Sequence, residues 1–151
     1  MEIRKGTARE LDELAALYNA VCDALAAGIN YPGWRRGTYP TREDAERGVA
    51  AGELYVAVEQ GAIVGTMILR QGQEPGYRTA RWGRELTDSE VLTVYTFAVH
   101  PGHAGKGVGA AMLAFAERLA AAQGKKALRL DVYEKNTPAM RLYEKCGFRY
   151  I

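Results

Sequence analysis

Apolar side chains at Leu11, Leu14, Leu17, Tyr18, Val21 and Leu25 recur at three- and four-residue intervals, which places them on one face of a helix. Just upstream, Thr7-Ala-Arg-Glu10 has the form of a capping box, so the spacing predicts a helix over 8–26 behind a short strand at 2–6. Residues 28–41, GINYPGWRRGTYPT, break that rhythm with three Gly and two Pro and read as a loop. Thr41 is placed to cap a second helix over 42–51, which Gly52 ends. The β-rich runs at 53–59 and 62–70 flank Gln60-Gly61 and predict a hairpin. Residues 71–90 have no clear period and read as a long loop. VLTVYTFAV at 91–99 predicts a strand, and alternation puts Thr93, Tyr95 and Phe97 on one face. A helix over 107–123 stopped by Gly124 follows, then a strand over 127–133 with Leu128, Leu130 and Val132 alternating against polar residues. Asn136 or Thr137 caps a last helix, with Pro138 near its first position and Gly147 at its C-cap, before FRYI begins a final strand.

The predicted order is therefore β-α-α-β-β-β-α-β-α-β. Helices separated by a run of antiparallel strands predict an α/β fold of the α+β kind with a mixed sheet, not a doubly wound one, and 91–133 forms its single βαβ unit. The 151 residues suit one domain over 1–151. No apolar run approaches the roughly 18–20 residues of a membrane span, and the N-terminus lacks the apolar stretch of a secretory signal. The two cysteines, Cys22 and Cys146, stand far apart in no CxxC pattern, so a reducing cytoplasm is expected and neither a disulfide framework nor a zinc site is. A net charge of +2 with interspersed signs argues against a dedicated nucleic-acid binder. No membrane partner is expected, and a homodimer is left open.

Chemistry concentrates in VHPGHAGKGVGAAML, residues 99–113, where a glycine-rich loop joins a strand to a helix. Unpaired N–H groups and the positive end of the helix dipole converge there, and glycines let a ligand approach the backbone, so the site suits a phosphate or diphosphate. A P-loop is excluded because Lys106 is followed by Gly107 and not by the magnesium-binding hydroxyl. A dinucleotide fingerprint does fit Gly105 to Ala110, with Asp131 at the end of the next strand. It is opposed by HPGHA between strand and first glycine, and by the roughly forty residues that follow, too few for a second mononucleotide half. A turn that merely packs helix on strand accounts poorly for three glycines in five residues, each of which costs backbone entropy.

Two motifs in order carry a resemblance. Ala104-Gly-Lys-Gly107-Val-Gly109 occupies a [QR]-x-x-G-x-[GA] pattern after a strand ending Val99-His-Pro101. LRLDVY, Asn136, Ala139, Leu142-Tyr143 and Cys146-Gly147-Phe148 occupy a second. Residues 91–148 thereby resemble the core of the GNAT superfamily of acetyl-CoA-dependent N-acetyltransferases. Ala104 stands where that family commonly has Arg or Gln, and the chain after Phe148 is shorter than its usual final strand.

The resemblance implies a mostly antiparallel sheet splayed between its fourth and fifth strands, acetyl-CoA as co-substrate, no metal, and direct attack by a primary amine of a small molecule or peptide. It implies that Ala104 and the amides of Gly105, Lys106, Gly107, Val108 and Gly109 hold the diphosphate. The pantetheine arm would run along Phe97, Ala98 and Val99, with an amide near Phe97 or Ala98 polarising the thioester. Tyr143 matches the residue that protonates the departing thiolate, and Asn136 would bond the arm as well as cap its helix. Glu90 and Tyr95 are the candidate bases. His100 and His103 flank the loop beyond the strand and read as exposed loop residues. Tyr31, Trp34 and Tyr39 are candidates to line the amine pocket or, equally, to cover the core. Asp88, Glu85 and Glu90 share 71–90 with Arg78, Arg81 and Arg84, so the sign of the pocket is not readable. Two other classes stay open: a non-catalytic acyl-CoA sensor on the same fold, and a nicotinamide dinucleotide-dependent oxidoreductase.

Overall fold

The computed structural model describes residues 1–72, 86–132 and 136–149. Strand β1 is Glu2–Lys5, followed by a short 3-10 turn and helix α1, Leu11–Ala27. Helix α2 is Arg42–Ala50, and β2 (Leu54–Glu59) and β3 (Ala62–Gln71) form the hairpin. Strand β4 is Val91–Val99, α3 is Val108–Ala122, β5 is Ala127–Arg129 and α4 is Thr137–Lys145. The same cap recurs at three starts. The amides of Thr7, Thr41 and Thr87 donate to the carboxylates of Glu10 (3.0 Å), Asp44 (2.8 Å) and Glu90 (3.0 Å), three residues on. The hairpin turns on Gln60 (φ 50°) and Gly61 (φ 78°), both left-handed as a two-residue primed turn requires.

The five strands lie in chain order, antiparallel except for the parallel pair β4–β5. One face of the sheet buries Leu54, Val56, Ile63, Ile68 and Ala98 against Leu14, Leu17 and Tyr18 of α1 and Ala45 of α2. The other buries Val64, Met67, Leu69, Leu92 and Val94 against Val108, Met112, Ala116 and Ala120 of α3. At Gly65 α3 sits close to the sheet: a Cβ there would stand 2.6 Å from Met112 Sδ and 3.2 Å from Val108 Cγ1, so a side chain would force Met112 or the start of α3 to shift.

Two expectations change. Strand β5 ends at Arg129, shorter than the 127–133 that alternation predicts; beyond three paired residues no neighbour holds Leu130 in a ladder. Phe148 and Arg149 are not in a strand, and the rest of the expected final strand lies outside the described residues, as do Arg78, Arg81, Arg84 and Glu85. Alternation also fails inside β4. Thr66 pairs with Ala98 and Ile68 with Tyr95, so β4 carries one extra residue there, and Thr96 takes φ 48°. This bulge turns Phe97 away from the Thr93–Tyr95 face: Tyr95 and Ala98 pack on the α1 side, Phe97 and Val99 on the α3 side.

Candidate active site

The sheet parts along β4. Val91, Leu92 and Thr93 pair with Ala127, Leu128 and Arg129; from Val94 onward that edge has no strand partner among the described residues. The closed end of the wedge is pinned. The Glu90 carbonyl accepts from the Lys126 amide at 2.7 Å, and the Glu90 carboxylate meets Lys126 Nζ at 2.9 Å. Lys126, with the Thr87 amide and hydroxyl, holds the Glu90 carboxyl down at about 2. Glu90 therefore sits at the shut end of the wedge, six residues or roughly 20 Å along the strand from the bulge. Its charge is committed to the pairing of β4 with β5. Tyr95 lies on the α1 side with the Arg70 guanidinium 5.0 Å from its ring centre.

At the open end the backbone leaves β4 through a short turn at Pro101–His103. His100 caps this turn, its Nδ1 accepting from the Gly102 amide at 3.0 Å. The His100 and His103 rings meet edge to face at 5.8 Å. Beyond exposed Ala104, Gly105 (φ 75°) and Gly107 (φ 82°) adopt conformations that disfavour a Cβ, and one built there would meet nothing within 4 Å. Gly107 is the N-cap of α3 and has no side chain to satisfy the helix start. Among the described residues, no backbone carbonyl accepts from the amides of Gly105, Lys106, Gly107, Val108, Gly109 or Ala110. Unbonded donors at a helix N-terminus, exposed at Gly105, Lys106 and Gly107 with open space before the two glycines, fit an anionic diphosphate. Lys106 is exposed beside them. Gly109 serves a different end, because a Cβ on it would lie 3.1 Å from Leu142 Cδ2 and 3.6 Å from Phe97 Cε1. Its bareness lets α3, α4 and β4 meet.

Helix α4 brings Tyr143 to that junction. Asn136 caps the helix, its Oδ1 accepting from the Ala139 amide at 3.3 Å, with Pro138 in the first turn. The Tyr143 ring stands edge to face with Phe97 at 6.1 Å and with Phe148 at 6.0 Å. Burial, with the Asp131 carboxylate adding, pushes its phenol up to about 12. A hydroxyl held protonated beside the open edge of β4 is a proton donor in form.

On the α1 face, Trp34 and Tyr39 meet edge to face at 6.0 Å, and Tyr39 Oη lies 2.6 Å from Thr96 Oγ1 of the bulge. Tyr31 sits half-buried earlier in the same segment. Thr96 was not a sequence candidate. Every residue of VLTVYTFAV suits a strand, so nothing in that run marks the extra one. A cavity of about 490 Å³ opens elsewhere, at the far end of α3 between Ala121, Lys125, Leu128, Phe148 and Arg149. None of the glycine-loop residues or Thr96 lines it, although Phe148, which does, also meets the Tyr143 ring.

Comparison with known proteins agrees with this fold. Streptothricin acetyltransferase of Streptomyces lavendulae is 37% identical over 59 residues, 39% of this chain and 31% of that protein, so the match covers less than a third of its length. A GNAT-family acetyltransferase of Streptococcus agalactiae superposes with TM-score 0.78 at 24% identity, covering 99% of this chain and 85% of that one. AAC(6′)-Iy in complex with the bisubstrate analogue CoA-S-monomethyl-acetylneamine superposes with TM-score 0.67 at 18% identity, covering 99% and 90%. The model of the acetyltransferase (GNAT) family matches residues 14–148, from the first helix through the glycine loop to the end of α4, and the chain belongs to that family.

Proposed function

We propose that this protein transfers an acetyl group from acetyl-CoA to a primary amine of a small molecule or peptide. The observation that carries this reading is the wedge itself: a strand edge at 97–99 without a partner on the β5 side among the described residues, joined by a short turn to the unbonded amides at 105–110. The glycine-loop amides would hold the diphosphate, with Lys106 adding charge, and the 97–99 edge would take the pantetheine arm as an added strand. Ala104 has no side chain to help, so the main chain does this work. Acetyl-CoA, when bound, supplies an activated thioester. The amine, having lost a proton to solvent, attacks the carbonyl carbon; the C–N bond forms and the C–S bond breaks. An amide of Phe97 or Ala98 polarises the carbonyl. Tyr143 delivers its proton to the departing sulfur and regains one from the acylated nitrogen or solvent, so the products are an amide, the free thiol and one proton. Asn136 keeps Tyr143 in place by starting its helix. Glu90 is engaged at the closed end, and Tyr95 lies on the acceptor face beneath Arg70, so neither is assigned as base in this scheme. The named relative acts on streptothricin, and the complexed neighbour holds a CoA–aminoglycoside analogue, which supports an amine acceptor. A cytoplasmic location is in keeping with the free cysteines.

Thermal unfolding with and without ligand tests the donor, followed by thiol release across an amine panel. Acetyl-CoA at 100 times its Kd adds about 2.7 kcal/mol, a rise of roughly 5–10 °C for this size. Stabilisation by NAD and none by acetyl-CoA overturns the reading in favour of the oxidoreductase. Binding with no thiol release to any amine leaves the sensor.

A further inference from the structure

The acceptor side holds one contact that the transfer scheme above does not use. Tyr39 and Thr96 are 57 positions apart, yet their hydroxyls lie 2.6 Å from each other at an accessible point on the α1 face of β4. Both ends of this contact are built. Tyr39 closes a tight turn, exchanging main-chain bonds of 3.0 Å with Arg35 in both directions, and the Pro40 that follows is fully buried. Asn30 bonds the Trp34 carbonyl at 2.8 Å and accepts from the Gly33 amide at 3.0 Å, holding Trp34 where its ring meets Tyr39. At the other end Thr96 is a β-branched residue at φ 48°, a conformation that costs energy and persists where surrounding contacts enforce it. Glycine would occupy the bulge without that cost. What threonine adds is the hydroxyl, and the hydroxyl is what Tyr39 engages.

The location gives the contact its meaning. Thr96 immediately precedes Phe97, where the acyl carbon would lie. The α3 side of that point is filled by Phe97, Gly109, Leu142 and Tyr143. An acceptor reaches the same edge from the opposite face, past Trp34, Tyr39 and Thr96. We propose that the Tyr39–Thr96 hydroxyl pair is a positioning latch: it ties the 28–41 segment to the β4 bulge and sets the aromatic wall against which the acceptor amine is held. This rests on the acyl-transfer reading. Tyr39 lies on a different element from the glycine loop and the 97–99 edge, and although Thr96 shares β4 with that edge, its hydroxyl meets Tyr39 on the α1 face, so the pair acts on the acceptor and leaves donor binding to the main chain.

The test uses the whole chain and four variants. Tyr39→Phe removes one hydroxyl and keeps the ring; Thr96→Val removes the other and keeps the shape; the double variant removes both; Thr96→Ser keeps the hydroxyl. With the best amine of the panel, Tyr39→Phe and Thr96→Val are each expected to raise the acceptor KM about fivefold to tenfold, the scale of one exposed hydrogen bond. The acetyl-CoA KM stays within about twofold, the double variant is no worse than either single one, and Thr96→Ser behaves as the parent. Amide hydrogen exchange over 30–39, which needs no activity, is expected to quicken in the first two variants and not in Thr96→Ser. Unchanged exchange overturns the latch whatever the kinetics. Quickened exchange with an unchanged acceptor KM, or additive effects in the double variant, overturns its role toward the acceptor. A parent chain that acetylates no amine overturns the acyl-transfer reading, and with it the acceptor role, while exchange still decides whether the two hydroxyls hold the segment.

Discussion

Tyr143 and Gly107 show how much can depend on single positions. The Tyr143 phenol, pushed up to about 12 by burial and by Asp131, stays protonated across any ordinary assay range and so suits an acid and not a base. Replacing it by Phe keeps the edge-to-face contact with Phe97 and removes only the proton. In Tyr143→Phe kcat is expected to fall about 100-fold while the acetyl-CoA KM moves less than about threefold, read by thiol release under saturating amine. In the parent no loss of rate from this group appears below about pH 10, because its ionisation lies above that. Gly107 is constrained by its backbone: at φ 82° a branched side chain is strained in the fold and projects into the space the amides face. Gly107→Val is expected to cost roughly 1–2 kcal/mol of stability and at least tenfold in acetyl-CoA affinity, measured by calorimetry. Full affinity in that variant would move the diphosphate elsewhere.

The elements differ in how much of them the residues disclose. The turn of the hairpin was legible to the residue and its outer strand ends to within one, because Gln60-Gly61 sits between two β-rich runs and a two-residue primed turn is the connection that matches strand twist. Its weak point is Gln60, which adopts φ 50° without the local bonding that Asn provides. Gln60→Asn is expected to stabilise the fold by about 0.5–1 kcal/mol, a Tm rise of about 1–4 °C by calorimetry. Although the Thr87 cap lies inside the 71–90 segment that reads as a loop, the Thr7 and Thr41 caps were equally readable, being local chemistry at a helix start. The bulge in β4 was not. Leu92, Val94, Phe97 and Val99 all face α3, but the intervening Thr93, Tyr95 and Ala98 suit burial too, so no polar position reports the change of phase. The role of Glu90 was hidden for another reason. Its partner Lys126 lies 36 positions away, across the βαβ crossover, and only the parallel register of β4 with β5 brings the two together. The glycine loop disclosed its donors, but which glycine serves the backbone and which the packing emerged only from the neighbours of Gly109.

Across the whole molecule, two carboxylates are paired at either edge of the sheet, Glu10 with Arg4 six residues before it and Glu90 with Lys126 across the crossover. Glu10 is lowered by the Arg4 guanidinium, and Glu90 by Lys126 and the Thr87 cap. Both have folded values below the unfolded ones. Their stabilisation is therefore complete above the unfolded carboxylate range near 4.3 and is lost as pH falls through the folded values, about 2 for Glu90. Thermal unfolding followed from pH 7 to pH 2.5 is expected to be level to about pH 5 and then to drop. Glu90→Gln lowers the neutral-pH plateau and makes the acid limb shallower, with kcat changed less than about threefold since the closed end of the wedge stays far from the acyl group. A collapse of kcat in that variant would return Glu90 to the reaction.

The bare position at Gly65 has a consequence for donor choice. Because α3 rests on β3, and Gly65 there pairs with Val99, the glycine loop proposed to cradle the anion is bolted to the strand proposed to carry the reactive edge. The span between the two is set by the scaffold and acts as a gauge. On the proposed reading, a thioester long enough to touch both ends would be gripped twice and held in register, whereas a clipped one lacking the nucleotide would touch a single end and keep its freedom to wander.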